Sequence, residues 1–255
     1  MDQDPIKKIQ STNPIDMRAA IDAATGGDDN AEVDINKFED ALIQQTTLAQ
    51  RVGFARAKAF FQGMTGQESA GGKDLTSVDG ARGAYQVMPG TAKRYKMDVN
   101  DPYHNRYMGI SYWDEGFRKA IEANNPNIGT DTVSLAGAAT AYYHGGPGAF
   151  NKLAKTGRYS TIQDGAGMTT DDHVLKVLQN WSDNLKAQGF GGALTIDDEV
   201  AQEQAEKGIY RIASDGSPVV VIDSSENEDP SKARTPDFLR VIKQEPQPTG
   251  ANPNV

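Results

Sequence analysis

A carboxylate lies at the end of an apolar helical stripe in the first half of the chain. Phe54, Ala57, Phe61, Met64 and Glu68 follow one another at intervals of 3, 4, 3 and 4 residues, which places them on one face of an α-helix. Four of the five are apolar or small, so this face points toward a hydrophobic core. The stripe therefore predicts a buried helix with Glu68 at its C-terminal end.

Further helical periods predict a mainly α-helical fold around this stripe. Capping residues and prolines mark the helix starts, and glycines mark the ends. The predicted helices span residues 16–24, 34–49, 54–68, 89–95, 102–121, 132–143 and 171–188. The glycine-rich segment 71–89 is predicted to be an irregular loop or a short hairpin. Gly145-Gly146-Pro147 is predicted to end the helix over residues 132–143.

Charge divides the chain into three parts. Residues 1–50 and 191–255 each carry a net charge of about −6, whereas residues 51–190 carry about +3. We interpret these parts as an acidic helical N-terminal segment, a central domain and an acidic, partly disordered C-terminal extension. Within the extension, residues 210–222 are predicted to form a small hairpin that turns at Asp215-Gly216.

Composition excludes several classes of function. The net charge of −9 argues against non-specific nucleic-acid binding. No apolar run approaches the roughly 20 residues that span a bilayer. The chain has no cysteine, and its three histidines do not fall at the spacing of a helical zinc site. The sequence therefore predicts no metal, no cofactor and no transmembrane segment.

Glu68 is a candidate general acid. An acid that cleaves a glycosidic bond must stay protonated near neutral pH, and burial against apolar side chains is the usual way to achieve this. The apolar stripe supplies such surroundings. A solvated glutamate at a helix end is the alternative that periodicity alone leaves open.

Two segments resemble the soluble lytic transglycosylase family, which has a lysozyme-like fold. The first is Glu68-Ser69 followed by Ser77-Val78-Asp79-Gly80-Ala81-Arg82-Gly83-Ala84-Tyr85-Gln86-Val87-Met88-Pro89-Gly90-Thr91-Ala92, and the second is Ala141-Tyr142-Tyr143-His144-Gly145-Gly146-Pro147-Gly148. The resemblance covers about residues 55–190. It implies a helical lysozyme-like (goose-type) domain with a small irregular or hairpin loop region.

The resemblance also implies roles for individual residues. Glu68 corresponds to the catalytic acid and base, and Ser69 to a residue that orients it. Gln86, Met88 and Tyr143 correspond to residues that line the sugar groove. His144 stands where the family usually has asparagine; it can still donate a hydrogen bond to substrate, and it would make activity sensitive to pH.

The family also has a downstream Glu-Thr-x-x-Tyr-Val segment. This chain matches it only loosely, as Thr169-Thr170-Asp171-Asp172-His173-Val174. Thr169 replaces a glutamate that supports the groove in the family, so the finer substrate contacts are expected to differ. The acid itself is retained.

The resemblance implies cleavage of peptidoglycan with one carboxylate rather than two. Lytic transglycosylases protonate the leaving oxygen and then assist attack by the sugar's own 6-hydroxyl, which leaves a 1,6-anhydro end. A hydrolase needs a second carboxylate, for which Asp74 and Asp79 are the candidates. A muramidase and a non-catalytic protein that retains the fold are the alternatives.

The first residues, Met1 to Pro5, do not have the pattern of a secretory signal. An enzyme that cuts the cell wall without such a signal must reach its substrate by another route, and phage particles carry such domains. We therefore expect a bacteriophage virion protein that is delivered to the host periplasm and cell wall. Residues 1–50 and 191–255 would then attach it to other virion proteins. An endolysin held in the host cytoplasm until lysis is the alternative.

Overall fold

A computed structural model gives the fold and describes residues 15–28, 30–73, 75–161 and 163–190, together with 211–212 and 218–219. The described part is mainly helical, as the sequence predicts. Its elements are α1 (Met17–Thr25), α2 (Ile35–Gln45), α3 (Thr47–Val52), α4 (Phe54–Ser69), α5 (Pro89–Tyr95), α6 (Pro102–Ala123), α7 (Thr132–Thr156), α8 (Thr170–Ala187), β1 (Arg211–Ile212) and β2 (Pro218–Val219).

Short polar side chains start most of these helices. Each accepts hydrogen bonds from the free backbone N–H groups of the first turn, which otherwise have no partner inside the helix. The capping residues are Asp16 of α1, Asp34 of α2, Thr46 of α3, Asp101 of α6, Asp131 of α7 and Thr169 of α8. The starts predicted at residues 16, 34 and 101 are confirmed.

The prediction of one helix over residues 34–49 is wrong, because Thr46 interrupts it. Thr46 has extended backbone, with ψ 151°, and its hydroxyl accepts the N–H of Ala49. The same hydroxyl donates to the carbonyl of Ile43 at 2.7 Å. A threonine hydroxyl that bonds nearby backbone groups in this way competes with helical hydrogen bonding.

The predicted helix break at Gly145-Gly146-Pro147 is confirmed, and a second helical segment follows it directly. The helical hydrogen bonding resumes after a kink at Gly146, whose φ of 66° and ψ of −165° are not helical, and α7 continues to Thr156. Glycine tolerates this positive φ because it has no Cβ. The kink falls where Pro147 cannot donate a backbone hydrogen bond.

Helix α4 lies in the middle of the core and is buried on more than the predicted face. Ala57, Phe61 and Met64 of the stripe are fully buried, and so is Phe60, which lies off it. Phe60 contacts Trp113 of α6 and Trp181 of α8, with ring centroids 4.5 and 5.2 Å away. These contacts fix the end of α4, and with it Glu68.

Helices α1 to α3 contribute to the same hydrophobic core. Phe38, Leu42 and Leu48 are fully buried. The backbone N–H of Thr47 donates to Asp114 of α6 at 2.7 Å, and burial raises the pKa of this carboxyl against the opposing effect of the bond. Whether residue 51 is a domain boundary stays a prediction.

The chain divides into two units, Met1–Val221 and Ile222–Val255, and every described residue belongs to the first. Within it β1 and β2 pair antiparallel, with Arg211 opposite Val219. The predicted turn at Asp215-Gly216 lies outside the described residues, as do residues 1–14 and most of the C-terminal extension. No helix in the described part of the chain is long and apolar enough to cross a bilayer.

Candidate active site

Glu68 lies in the last turn of α4, and only 12 % of its side chain is exposed. The helix ends at Ala70, whose φ of 51° turns the chain into the following loop. Oε1 of Glu68 lies 2.9 Å from Nε2 of His173, on α8. Oε2 has no hydrogen-bond partner among the described residues, which leaves this oxygen available to a substrate.

Two imidazole rings stack beside this carboxyl group. His173 is 3 % exposed, and its ring lies on that of His144 with centroids 4.4 Å apart and an interplanar angle of 26°. Nε2 of His144 lies 3.2 Å from Oδ2 of Asp164, and Nδ1 lies 3.3 Å from the hydroxyl of Thr170. Glu68, the two histidines and Asp164 therefore form one contiguous polar cluster.

The electrostatics of the cluster favour a neutral His144 and an ionised Asp164. Burial lowers the pKa of His144, and the nearby His173 lowers it further, which outweighs the opposite effect of Asp164. Burial alone would raise the pKa of Asp164. Hydrogen bonds from the backbone of Met168, from His144 and from the backbone of Ala166 outweigh burial, so this pKa lies below its ordinary value.

Tyr143 lies near Glu68 with its hydroxyl engaged. The hydroxyl donates to the backbone carbonyl of Tyr85 in the loop before α5. Burial raises the pKa of Tyr143 well above its ordinary value, and the charge of Glu68 raises it further. The neighbouring Tyr142 is buried and donates to Glu115 at 2.8 Å, so the two tyrosines point in different directions.

Ser69 connects α4 to the loop rather than to Glu68. Its side chain is buried, and the hydroxyl donates to the carbonyl of Ala84 at 2.7 Å and accepts the N–H of Gly72 at 2.8 Å. The Ser69 hydroxyl makes no hydrogen bond to the Glu68 side chain among the described residues. A direct role of Ser69 in orienting the acid therefore stays a prediction from the resemblance.

The loop between α4 and α5 presents two further predicted residues. The loop is irregular, with isolated bridges that join Arg82 to Thr76 and to Val87. Gln86 has a φ of 46° and donates its amide to the carbonyl of Gly83 at 2.8 Å. Met88 is 45 % exposed, which suits a contact with a ligand. The sugar contacts of Gln86, Met88, Tyr143 and His144 stay predictions.

Asp79, a candidate second carboxylate, joins two loops. Its Oδ2 accepts the backbone N–H of Gly165 at 3.0 Å, which links the loop after α4 to the loop after α7. A Cβ on Gly165 would collide with the Asp79 carboxyl, so only glycine fits this contact. The other candidate, Asp74, lies outside the described residues.

Sequence reasoning missed His173 and Asp164. His173 had one local signal: a histidine among apolar residues of α8, where Val174 and Val177 are buried. Asp164 had no such signal, because its contact with His144 depends on the conformation of the loop between α7 and α8. Among the described residues, no group of three or more His, Asp or Glu side chains could hold a metal ion.

The fold and this cluster define the class: a lysozyme-like helical domain with a nearly buried glutamate at the end of its central helix. Residues 51–164 match the family model of the transglycosylase SLT domain. No curated protein and no solved structure matches the chain. The match includes Glu68 and ends at Asp164, whereas His173 lies beyond it.

Proposed function

We propose that the protein is a peptidoglycan lytic transglycosylase that uses Glu68 as both acid and base. The observation that carries the proposal is the Glu68 carboxyl group itself. It lies within the residues that match the SLT family model, and only 12 % of the Glu68 side chain is exposed. Its Oε1 contacts His173, whereas its Oε2 is available to a substrate. This arrangement suits a group that exchanges a proton with a bound glycan.

Both proton transfers of the reaction can be carried by this one carboxyl group. Glu68 donates its proton to the oxygen that links MurNAc to GlcNAc, and the β-1,4 bond breaks at C1 of MurNAc. The resulting carboxylate then accepts the proton of the MurNAc 6-hydroxyl, whose oxygen bonds to C1. The products are a free GlcNAc 4-hydroxyl and a 1,6-anhydro-MurNAc end, and Glu68 is protonated again.

The contacts of the nearby carboxylates support this reaction over hydrolysis. A hydrolase needs a second carboxylate that is free to attack C1 or to activate water. Asp79 accepts the Gly165 N–H, and Asp164 accepts from His144 and from the N–H groups of Ala166 and Met168. Both are therefore already used in holding the loops.

Digestion of purified peptidoglycan tests the proposal. The wild type and Glu122→Gln, an exposed change on α6, should release 1,6-anhydro-muropeptides that mass spectrometry detects. Glu68→Gln should lower this release by about 100-fold or more, because the amide cannot exchange the proton. Reducing-end products from the wild type would instead establish a muramidase. Binding without release by the wild type would establish a non-catalytic protein.

Delivery by a phage particle is a separate proposal. Its support is the sequence alone: two acidic segments flank a basic domain, and they resemble attachment segments more than wall-binding repeats. The chain would then be found in purified particles and reach the host periplasm at infection. Immunodetection in the lysate but not in particles would favour the alternative, an endolysin of the host cytoplasm.

A further inference from the structure

We propose that His173 is a positioning residue that holds Oε1 of Glu68 and so directs the catalytic proton to Oε2. This inference rests on the proposed function and adds a residue beyond the matched SLT domain. Nε2 of His173 lies 2.9 Å from Oε1, and both side chains are largely shielded from solvent. The contact joins α4 to α8 across 105 residues of sequence.

The surroundings of His173 determine which ring nitrogen carries the proton. Nδ1 is buried and has no hydrogen-bond partner among the residues that the structure describes. A buried N–H without an acceptor is costly, whereas a bare ring nitrogen is tolerated better. The favoured tautomer therefore has its proton on Nε2, which donates to Glu68.

Few charged groups lie around the Glu68–His173 pair. The ring of His173 lies against that of His144. The titratable groups that face the pair are Tyr143 and His144 from α7 and Asp164 from the loop before α8. Asp164 is bonded to His144 rather than to His173, so Glu68 is the carboxylate that His173 contacts among the described residues.

A His173 ring that donates from Nε2 to Oε1 serves both steps of the reaction. While Glu68 is protonated, the bond occupies Oε1, so the acid proton resides on Oε2, which has no partner among the described residues. After this proton has left, the His173 N–H stabilises the carboxylate. Oε2 is then free to accept the proton of the attacking hydroxyl. The bond to Oε1 need not change between the two steps.

Three substitutions test this role against simple packing. His173→Phe keeps a ring against His144 but removes the donor, whereas His173→Gln can place an amide N–H near the position of Nε2. His173→Asn is polar but too short to do so. We expect the Phe and Asn variants to lower kcat by about 10- to 100-fold with little change in KM, and the Gln variant to restore most of the rate.

The pH profile of kcat separates positioning from stability. Loss of the N–H donor removes a contact of the group that exchanges the proton, so the pH profile of kcat should change in the Phe and Asn variants and return in the Gln variant. Where the Phe variant does not fold, the Gln and Asn pair decides. Wild-type kcat and pH profile in the Asn or Phe variant would overturn the proposal.

The tautomer of His173 gives a readout that does not need activity. In the full-length protein with ¹⁵N-labelled histidine, two-bond ¹H–¹⁵N spectra should show a bare Nδ1 and a protonated Nε2 for His173. A protonated Nδ1 would overturn the inference. If the wild type and Glu68→Gln are equally inactive on peptidoglycan, the proposed function fails. If only Glu68→Gln is inactive while the donor-less His173 variants are unaffected, the positioning role alone fails.

Discussion

The residues around Glu68 show how a substitution can change a site without removing its acid. His144 stands where the family that this chain resembles usually has asparagine. Its ring stacks on His173 and forms a hydrogen bond with Asp164. An asparagine could offer a hydrogen bond at this position, but neither the stacking area of a ring nor a proton that titrates near neutral pH. Whether His144 makes activity sensitive to pH stays a prediction.

Acidification should weaken the fold through His144. Its pKa in the folded protein lies below its ordinary value, first because of burial and then because of His173. The unfolded chain therefore binds more protons as the pH falls below about 6.5, and stability present above that pH is lost. At pH 5.5 this loss cannot exceed about 1.4 kcal/mol, since one pH unit corresponds to about 1.36 kcal/mol.

Urea unfolding at pH 7.5 and 5.5 measures this effect. His144→Asn and His144→Gln both remove the ionisation, so each should lose less stability than the wild type over this interval. The comparison uses the change with pH rather than the absolute stability, because both variants also lose the stacked ring. Equal losses in all three proteins would contradict the assignment of the pH response to His144.

At the scale of elements, local signals predicted the helices but only some of their interruptions. Asp16, Asp34 and Asp101 have the side chains that cap helices, and helices begin directly after them. Thr46 gave no clear signal of its break, and Gly146 gave the break but not the helical segment that follows it. Thr46 can belong to a helix or cap the next one, and a Gly-Pro pair can end a helix or kink it. The packing of the surrounding helices decides between these outcomes.

The candidate site was predictable only in part, for the same reason. Glu68 belongs to a periodic stripe within its own helix, so it could be found from the sequence. Its bond to His173 joins two helices, and the bond of Asp79 to Gly165 joins two loops. Neither has a sequence period, because both result from the way α4, α7 and α8 pack together.

At the scale of the whole molecule, the segment that matches the SLT family model does not include all residues of the hydrophobic core. The match begins at residue 51, inside α3, which spans Thr47–Val52. Phe38, Leu42 and Leu48 precede that point and are fully buried in the same core as the aromatic residues around α4. A chain that begins at residue 51 would leave their partners exposed to water.

We therefore expect residues 51–190 alone not to fold cooperatively, whereas residues 15–190 should. The burial of Phe38, Leu42, Ile43 and Leu48 contributes about 1.5–3 kcal/mol each, or about 6–12 kcal/mol together, which is comparable to the entire stability of a typical domain. Calorimetry should show a cooperative transition for residues 15–190 and a broad one or none for residues 51–190. A sharp transition at a similar temperature in both would mean that the core closes without α1 to α3, and would establish residue 51 as a true domain boundary.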